Sequence, residues 1–164
     1  MNVKKAIQKR RSIREFENQP ISDKQLQSLM EVIQLAPSAS NIQSYKFIIV
    51  KDEYLKTELG NLSSNQTFIS NAAVIFVGIG NPSREKWYKV DVAIAMEHLA
   101  LQAVELGLGS CWIGAFDEEK IKNLLKIPKN LRIIALMPIG ISAQNPPARP
   151  RKSLNELFLT NYYQ

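Results

Sequence analysis

The sequence predicts a three-layer α/β/α sandwich, in which one β-sheet is covered by helices on both faces. Short runs rich in β-branched and aromatic residues at 45–50, 74–79 and 131–139 indicate strands, and segments with helical spacing alternate with them. The run VIFVGI at 74–79 is apolar at consecutive positions, which is typical of a strand buried on both faces. A sheet of this kind requires helices on each side. The order and direction of the strands stay open at this point.

The first half of the chain begins with a short helix that ends near Arg10, with a few apolar residues on one side. A capping box at Ser22–Gln25 starts a second helix, and Pro37 ends it and opens a polar loop at 37–44. The strand at 45–50 follows. A surface helix over 52–59, closed by Gly60 and Asn61, leads to the buried strand at 74–79.

The second half is dominated by a long helix over 87–106, which Gly107 stops. It is apolar almost all round, so we expect a central buried helix with His98 as a hydrogen-bonded core histidine. A brief strand at 110–113, a helix over 117–126 with acids at its start, and the strand at 131–139 come next. A proline-rich extended tail at 142–152 and a final helix over 153–159 complete the chain.

The composition is that of an ordinary soluble protein. With 164 residues, 45% apolar and 22% charged, the chain predicts one domain over residues 1–164 and excludes a disordered chain, a collagen or a disulfide-stapled mini-protein. No apolar run reaches the roughly 18–20 residues that cross a bilayer, and the N-terminus lacks a signal-peptide core. One cysteine, Cys111, excludes an internal disulfide and a multi-cysteine metal site, and we expect it to be buried and inert. We predict a cytoplasmic protein without a membrane partner or a metal.

The net charge of +6 is unevenly distributed. Residues 1–14 hold six cations and no acid, and residues 149–152 hold three more, which leaves the rest of the chain at −3. The chain is thus a mildly acidic body with two basic ends. Either an anionic partner binds these ends, or they form a solvated surface.

Two basic motifs produce this pattern. The run Arg10-Arg11-Ser12-Ile13-Arg14 offers guanidinium groups and a hydroxyl that suit a phosphate, although a solvated face or a nucleic-acid contact is the simpler interpretation of the run alone. The run Pro147-Ala148-Arg149-Pro150-Arg151-Lys152 presents cations on an extended backbone, or else forms a ligand for a peptide-binding domain.

Two further segments suit a flat ligand. The loop 36–43 carries Ser38, Asn41 and Gln43, and its amides could read the edge of a heterocycle such as a flavin pyrimidine or a nucleobase; backbone capping is the simpler interpretation of the loop alone. In the run 107–116, Gly114 would let a ring approach the backbone, and Trp112 could form a wall. There is no phosphate-binding glycine loop, nucleophile elbow or acid-base pair, so any chemistry belongs to a bound cofactor.

Together and in this order, the motifs resemble the FMN-dependent nitroreductase family, in a compact form. The resemblance extends over essentially the whole chain and includes the run 91–99 as well as the four segments above. It implies an α+β fold of nitroreductase type with a mixed, mainly antiparallel sheet. It also implies a homodimer with FMN at the subunit interface.

The resemblance assigns roles to particular residues. The phosphate and ribityl chain of FMN would be held by Arg10, Arg11, Ser12, Arg14, Arg149 and Arg151. The ring would be approached by Ser38, Asn41 and Gln43 of the other subunit and by the backbone of Ile113 and Gly114. No side chain would act as a catalytic nucleophile or a metal ligand.

The implied activity is an NAD(P)H oxidoreductase, which passes hydride from NADH or NADPH through flavin N5 to an electron-poor acceptor such as a nitroaromatic or a quinone. Other flavin chemistry on the same fold, such as dehydrogenation or dehalogenation, is the alternative. A basic nucleic-acid-binding module is a remote one, because the middle of the chain is acidic and aromatic residues are not interleaved with the cations. Ser44 and Tyr45 stand where many members of the family have Pro and Trp.

Overall fold

The sheet has four strands with antiparallel neighbours, in the order β1-β2-β4-β3, in the computed structural model, which describes residues 1–163. The strands are β1 (Tyr45–Val50), β2 (Val74–Gly80), β3 (Gly109–Ser110) and β4 (Arg132–Gly140). The helices are α1 (Val3–Lys9), α2 (Asp23–Gln34), α3 (Glu53–Leu62), α4 (Tyr88–Glu105), α5 (Glu118–Leu125) and α6 (Leu154–Leu157), with 3-10 turns at Ala39–Asn41 and Thr67–Asn71.

The predicted sandwich is confirmed by how β2 is buried. All seven of its residues are buried, and successive side chains point to opposite faces. On one face Phe76 packs with Met96 and Leu99 of α4 and with Leu29 of α2. On the other face Val77 belongs to a core that includes residues of α3 and α5. The expected mainly antiparallel sheet is confirmed too, and a parallel bridge between Ser12 and Ser110 supplies its mixed character.

Three predicted boundaries are wrong, one of them in the last helix, which is expected over 153–159 and spans only Leu154–Leu157. The strand expected at 110–113 is regular only at Gly109–Ser110, and Ile113 forms an isolated bridge with Leu136. The helix expected to end at residue 59 continues through Gly60 to Leu62. A Cβ at Gly60 would lie 3.2 Å from the Gln66 carbonyl oxygen, so this glycine admits a close backbone approach instead of ending the helix.

The long helix α4 is central, but one of its predicted features is wrong. Val92, Ala95, Leu99 and Ala103 are fully buried, as the apolar pattern predicts. His98 is only half-buried and lines an open apolar groove, so it is not a core histidine. The groove lies between α4, α1 and the end of α2, where Val3, Ala6 and Leu35 line it together with His98.

Candidate functional site

The basic motif at 10–14 lies beside the short strand β3. The helix α1 ends at Lys9, and Arg10 adopts extended dihedral angles that turn the chain away from the helix axis. Ser12 then bridges to Ser110, and the Ile13 N–H donates to the Ser110 carbonyl at 2.9 Å. The motif therefore adds a strand-like segment to the edge of the sheet and has a defined position.

Three residues that sequence reasoning did not single out hold this segment in place. Ile13 is buried against Gly109, where a Cβ would come within 2.7 Å of the isoleucine side chain. With the Gln144 amide turned so that its oxygen faces the segment, that oxygen accepts from the N–H groups of Arg14 and Glu15, each at 2.6 Å. The glycine pair at 107 and 109 was the available signal for this contact, whereas nothing in the sequence signals the role of Gln144.

The two basic ends of the chain meet at one cavity of about 620 Å³. Its wall includes five arginines and one serine of the predicted site: Arg10, Arg11, Ser12, Arg14, Arg149 and Arg151. Within residues 1–163 no carboxylate lines the cavity, and no salt bridge pairs any of these arginines with an acid. Arg11 differs from the others because its Nη1 donates to the carbonyls of Gln8 and Arg10. The cavity is thus strongly cationic and suits a dianion.

Cys111 lies at the edge of this cationic region. Its thiol is buried, and burial raises its pKa, although Arg14, the Ser12 hydroxyl and Arg10 act in the opposite direction. A protonated buried thiol is a poor nucleophile, which agrees with the expected inert cysteine.

The polar loop at 37–44 is held in an unusual backbone conformation. Ser40, Asn41 and Gln43 all have positive φ, between 49° and 54°. The Ser38 hydroxyl accepts from the Gln43 N–H at 3.0 Å, and the Gln43 amide donates to the Asn41 carbonyl and side-chain oxygens. These bonds are the backbone capping that the simpler interpretation of the loop predicts. None of Ser38, Asn41 and Gln43 lines the arginine cavity of this chain.

Ile113 and Gly114 differ in what they can offer a ligand. Ile113 is buried, and its N–H and carbonyl both bond with Leu136, at 2.9 and 3.0 Å. Gly114 is exposed, and nothing lies within 4 Å of the position of a Cβ. Ile113 therefore anchors the segment to β4, while Gly114 keeps open space in front of its backbone.

Two other classes of site were searched within residues 1–163. No helix there is long and apolar enough to cross a membrane. No group of three or more histidine, cysteine, aspartate or glutamate side chains is arranged there to hold a metal ion.

Comparison with known proteins identifies the family. Residues 2–163 match the family described as "Putative TM nitroreductase". The chain belongs to this nitroreductase family. A curated relative from Archaeoglobus fulgidus, "Putative NADH dehydrogenase/NAD(P)H nitroreductase", is 31% identical over 83% of each chain.

Solved nitroreductase structures share the fold. A nitroreductase family protein from Clostridium novyi NT superimposes with a TM-score of 0.81 and 39% identity, covering 87% of this chain and 86% of that one. An FMN-dependent nitroreductase from Clostridium difficile R20291 superimposes with a TM-score of 0.89 and 26% identity, covering 96% and 98%. The nitroreductase resemblance drawn from the motifs is confirmed.

Proposed function

We propose that this nitroreductase is an FMN-dependent oxidoreductase that takes reducing equivalents from NADH or NADPH. The observation that carries the proposal is the cavity in which five arginines and Ser12 face one another, with no carboxylate of residues 1–163 in the wall. A phosphate monoester is a dianion with three acceptor oxygens, and guanidinium groups bind such oxygens through paired donors. The residues present therefore fit the phosphate end of FMN.

The chain supplies binding and exclusion, and the flavin supplies the redox chemistry. When bound, FMN accepts hydride from the nicotinamide and delivers two electrons to an acceptor. Arg10, Ser12, Arg14, Arg149 and Arg151 would hold the phosphate and ribityl chain, with Arg11 supporting the backbone of the motif. Gly114 would leave room for the ring, and Ile113, which bonds with Leu136, would anchor this segment to β4.

We assign Ser38, Asn41 and Gln43 to the site of a second copy of the chain, so the proposal includes a homodimer. In one copy these residues lie outside the arginine cavity. The C-terminal segment supports a dimer, because it carries large apolar side chains that one copy leaves exposed: Leu154, Leu157, Phe158, Leu159, Tyr162 and Tyr163. An exposed apolar segment of this size marks a protein–protein contact. Each copy would act as one domain over residues 1–164, and we place the protein in the cytoplasm, which cell fractionation tests.

The acceptor is proposed to be an electron-poor small molecule such as a nitroaromatic or a quinone. The purified protein is expected to be yellow, to run as a dimer on size exclusion, and to oxidise NADH or NADPH when such an acceptor is added. Steady-state rates with a panel of acceptors, with each nucleotide in turn, test this directly. A colourless protein whose addition leaves FMN fluorescence and absorbance unchanged would refute the function. A yellow protein that NADH and NADPH fail to bleach without oxygen would refute the reductase.

A further inference from the structure

A buried carboxylate lies directly beneath the 37–44 loop. Asp91, in the first turn of α4, is only 3% exposed. Its Oδ1 accepts from the Ala39 N–H at 3.1 Å, across 52 positions of sequence. Its Oδ2 is buried and has no hydrogen-bond partner within residues 1–163. A carboxylate buried in this way is costly, so its retention at this point calls for a specific role.

The hydrogen bond from Ala39 to Asp91 caps a turn that the loop's own side chains leave uncapped. Ala39 begins the 3-10 turn at Ala39–Asn41, and Ser38, which precedes the turn, makes no side-chain capping bond to it. Asp91 supplies that cap from another element. A charged acceptor on a backbone N–H is stronger than a neutral one, and the turn is thereby tied to the rigid α4.

The loop needs such a tie because its backbone is strained. Left-handed dihedral angles at a residue with a Cβ cost of order 1–2 kcal/mol each, and Ser40, Asn41 and Gln43 all adopt them. All three are exposed, so packing does not hold them. Hydrogen bonds hold the loop instead, both those within it and the bond from the Ala39 N–H to the buried Asp91.

Tyr45 completes the support at the other end of the loop. Its hydroxyl donates to the Ala36 carbonyl at 3.4 Å, which closes the loop across nine positions. Burial raises the pKa of Tyr45, and the negative charge of Asp91 raises it further. Asp91 borders a small cavity of about 230 Å³ that Ser38, Ala39 and Trp87 also line.

We propose that Asp91 is a positioning residue, which holds the loop of Ser38, Asn41 and Gln43 in the conformation that receives the flavin ring. It acts through Ala39 and does not touch the flavin. The flavin readout of this inference rests on the proposed function. Because the loop is already ordered before FMN binds, no binding free energy is lost in ordering it, and the affinity is higher.

The test combines two measurements on Asp91→Ala, Asp91→Asn and the wild type. Amide hydrogen exchange of the FMN-free protein reports the order of the loop, and quenching of FMN fluorescence on titration reports affinity. In Asp91→Ala the Ala39 and Gln43 amides should exchange faster, and the Kd for FMN should rise about tenfold or more, as for the loss of a hydrogen bond to a charged group. Asp91→Asn keeps an acceptor oxygen, so its amide exchange at Ala39 and Gln43 and its Kd for FMN should be close to those of the wild type. If the alanine variant does not fold, the asparagine variant still decides the test.

A matched control is Asp52→Ala. Asp52 also accepts a backbone N–H through Oδ1, from Leu55 at 2.9 Å, but at the start of α3. It should change neither loop exchange nor FMN affinity. Wild-type exchange at Ala39 in Asp91→Ala would overturn the proposal, and so would faster exchange with unchanged affinity, or an asparagine variant as impaired as the alanine one. A wild type that binds no FMN would instead refute the proposed function, and the exchange data would still decide whether Asp91 orders the loop.

Discussion

Replacing Gly109 with alanine is expected to disturb the arginine cavity through the anchor of the basic motif. A Cβ at position 109 would lie 2.7 Å from Ile13 Cγ1 and 3.0 Å from its Cβ and Cγ2. Ile13 cannot turn aside easily, because it is β-branched and buried, and because its N–H bonds to Ser110 at 2.9 Å. Inserting a methyl group into such a packed contact costs about 1–3 kcal/mol.

For a chain of this length, that cost corresponds to a fall in Tm of about 2–12 °C. FMN affinity should fall as well, because Arg10, Ser12 and Arg14 flank Ile13 and move with it. Thermal unfolding at one fixed protein concentration and fluorescence titration of FMN measure the two effects. Gly114→Ala is the control for stability, since nothing lies within 4 Å of the new Cβ. A Gly109→Ala variant with the wild-type Tm and FMN affinity would show that the contact with Ile13 does not position the motif.

Three further outcomes are expected. Arg14→Ala should weaken FMN binding and leave Tm nearly unchanged, because Arg14 is exposed and pairs with no acid within residues 1–163. Equal flavin retention by mutant and wild type in gel filtration would exclude Arg14 as a phosphate ligand. Gly114→Ala should keep its Tm but bind FMN more weakly, by titration, if the ring lies against this backbone; unchanged affinity would place the ring elsewhere. Glu118 should make folding sensitive to acid: burial acts to raise its pKa, but hydrogen bonds from the Ile133 N–H, Lys122 and Arg132 outweigh burial and lower it. The contribution of Glu118 to the free energy of unfolding is therefore complete above the unfolded-state pKa and is lost as pH falls through the folded-state pKa. Urea unfolding of wild type and Glu118→Gln should show different free energies of unfolding near neutral pH and similar ones in acid. A difference that stays constant with pH would refute the assignment.

Local patterns predicted the regular elements well. The strand β1 was predicted with its exact bounds, and α4 within one residue at each end, because hydrophobic periodicity and capping signals act over a few residues. The prediction failed at Gly60 and at 110–113. Gly60 lies where the backbone of Gln66 comes close, and at 110–113 the regular pairing with β4 ends at Ser110, so that Ile113 forms only a bridge with Leu136. Neither contact is visible from the pattern of apolar residues.

The candidate site shows the same division. The arginines, Ser12 and the polar loop were identified from residue types, since guanidinium groups, hydroxyls and amides suggest particular ligands wherever they cluster. Ile13, Gln144 and Asp91 were not assigned positioning roles, although each has a clear task in the structure. Their contacts are with segments far along the chain, as the 52-residue separation of Asp91 from Ala39 illustrates.

The sequence by itself determined which residues can bind an anion and that they occur at both ends of the chain. Only the tertiary structure decided that the two ends share one cavity, that no acid of residues 1–163 lines it, and that Ser38, Asn41 and Gln43 of the same chain lie elsewhere. The physical reason is that charge and hydrogen-bonding capacity are properties of each residue, whereas convergence depends on the packing of a sheet edge against a C-terminal segment more than 100 residues away.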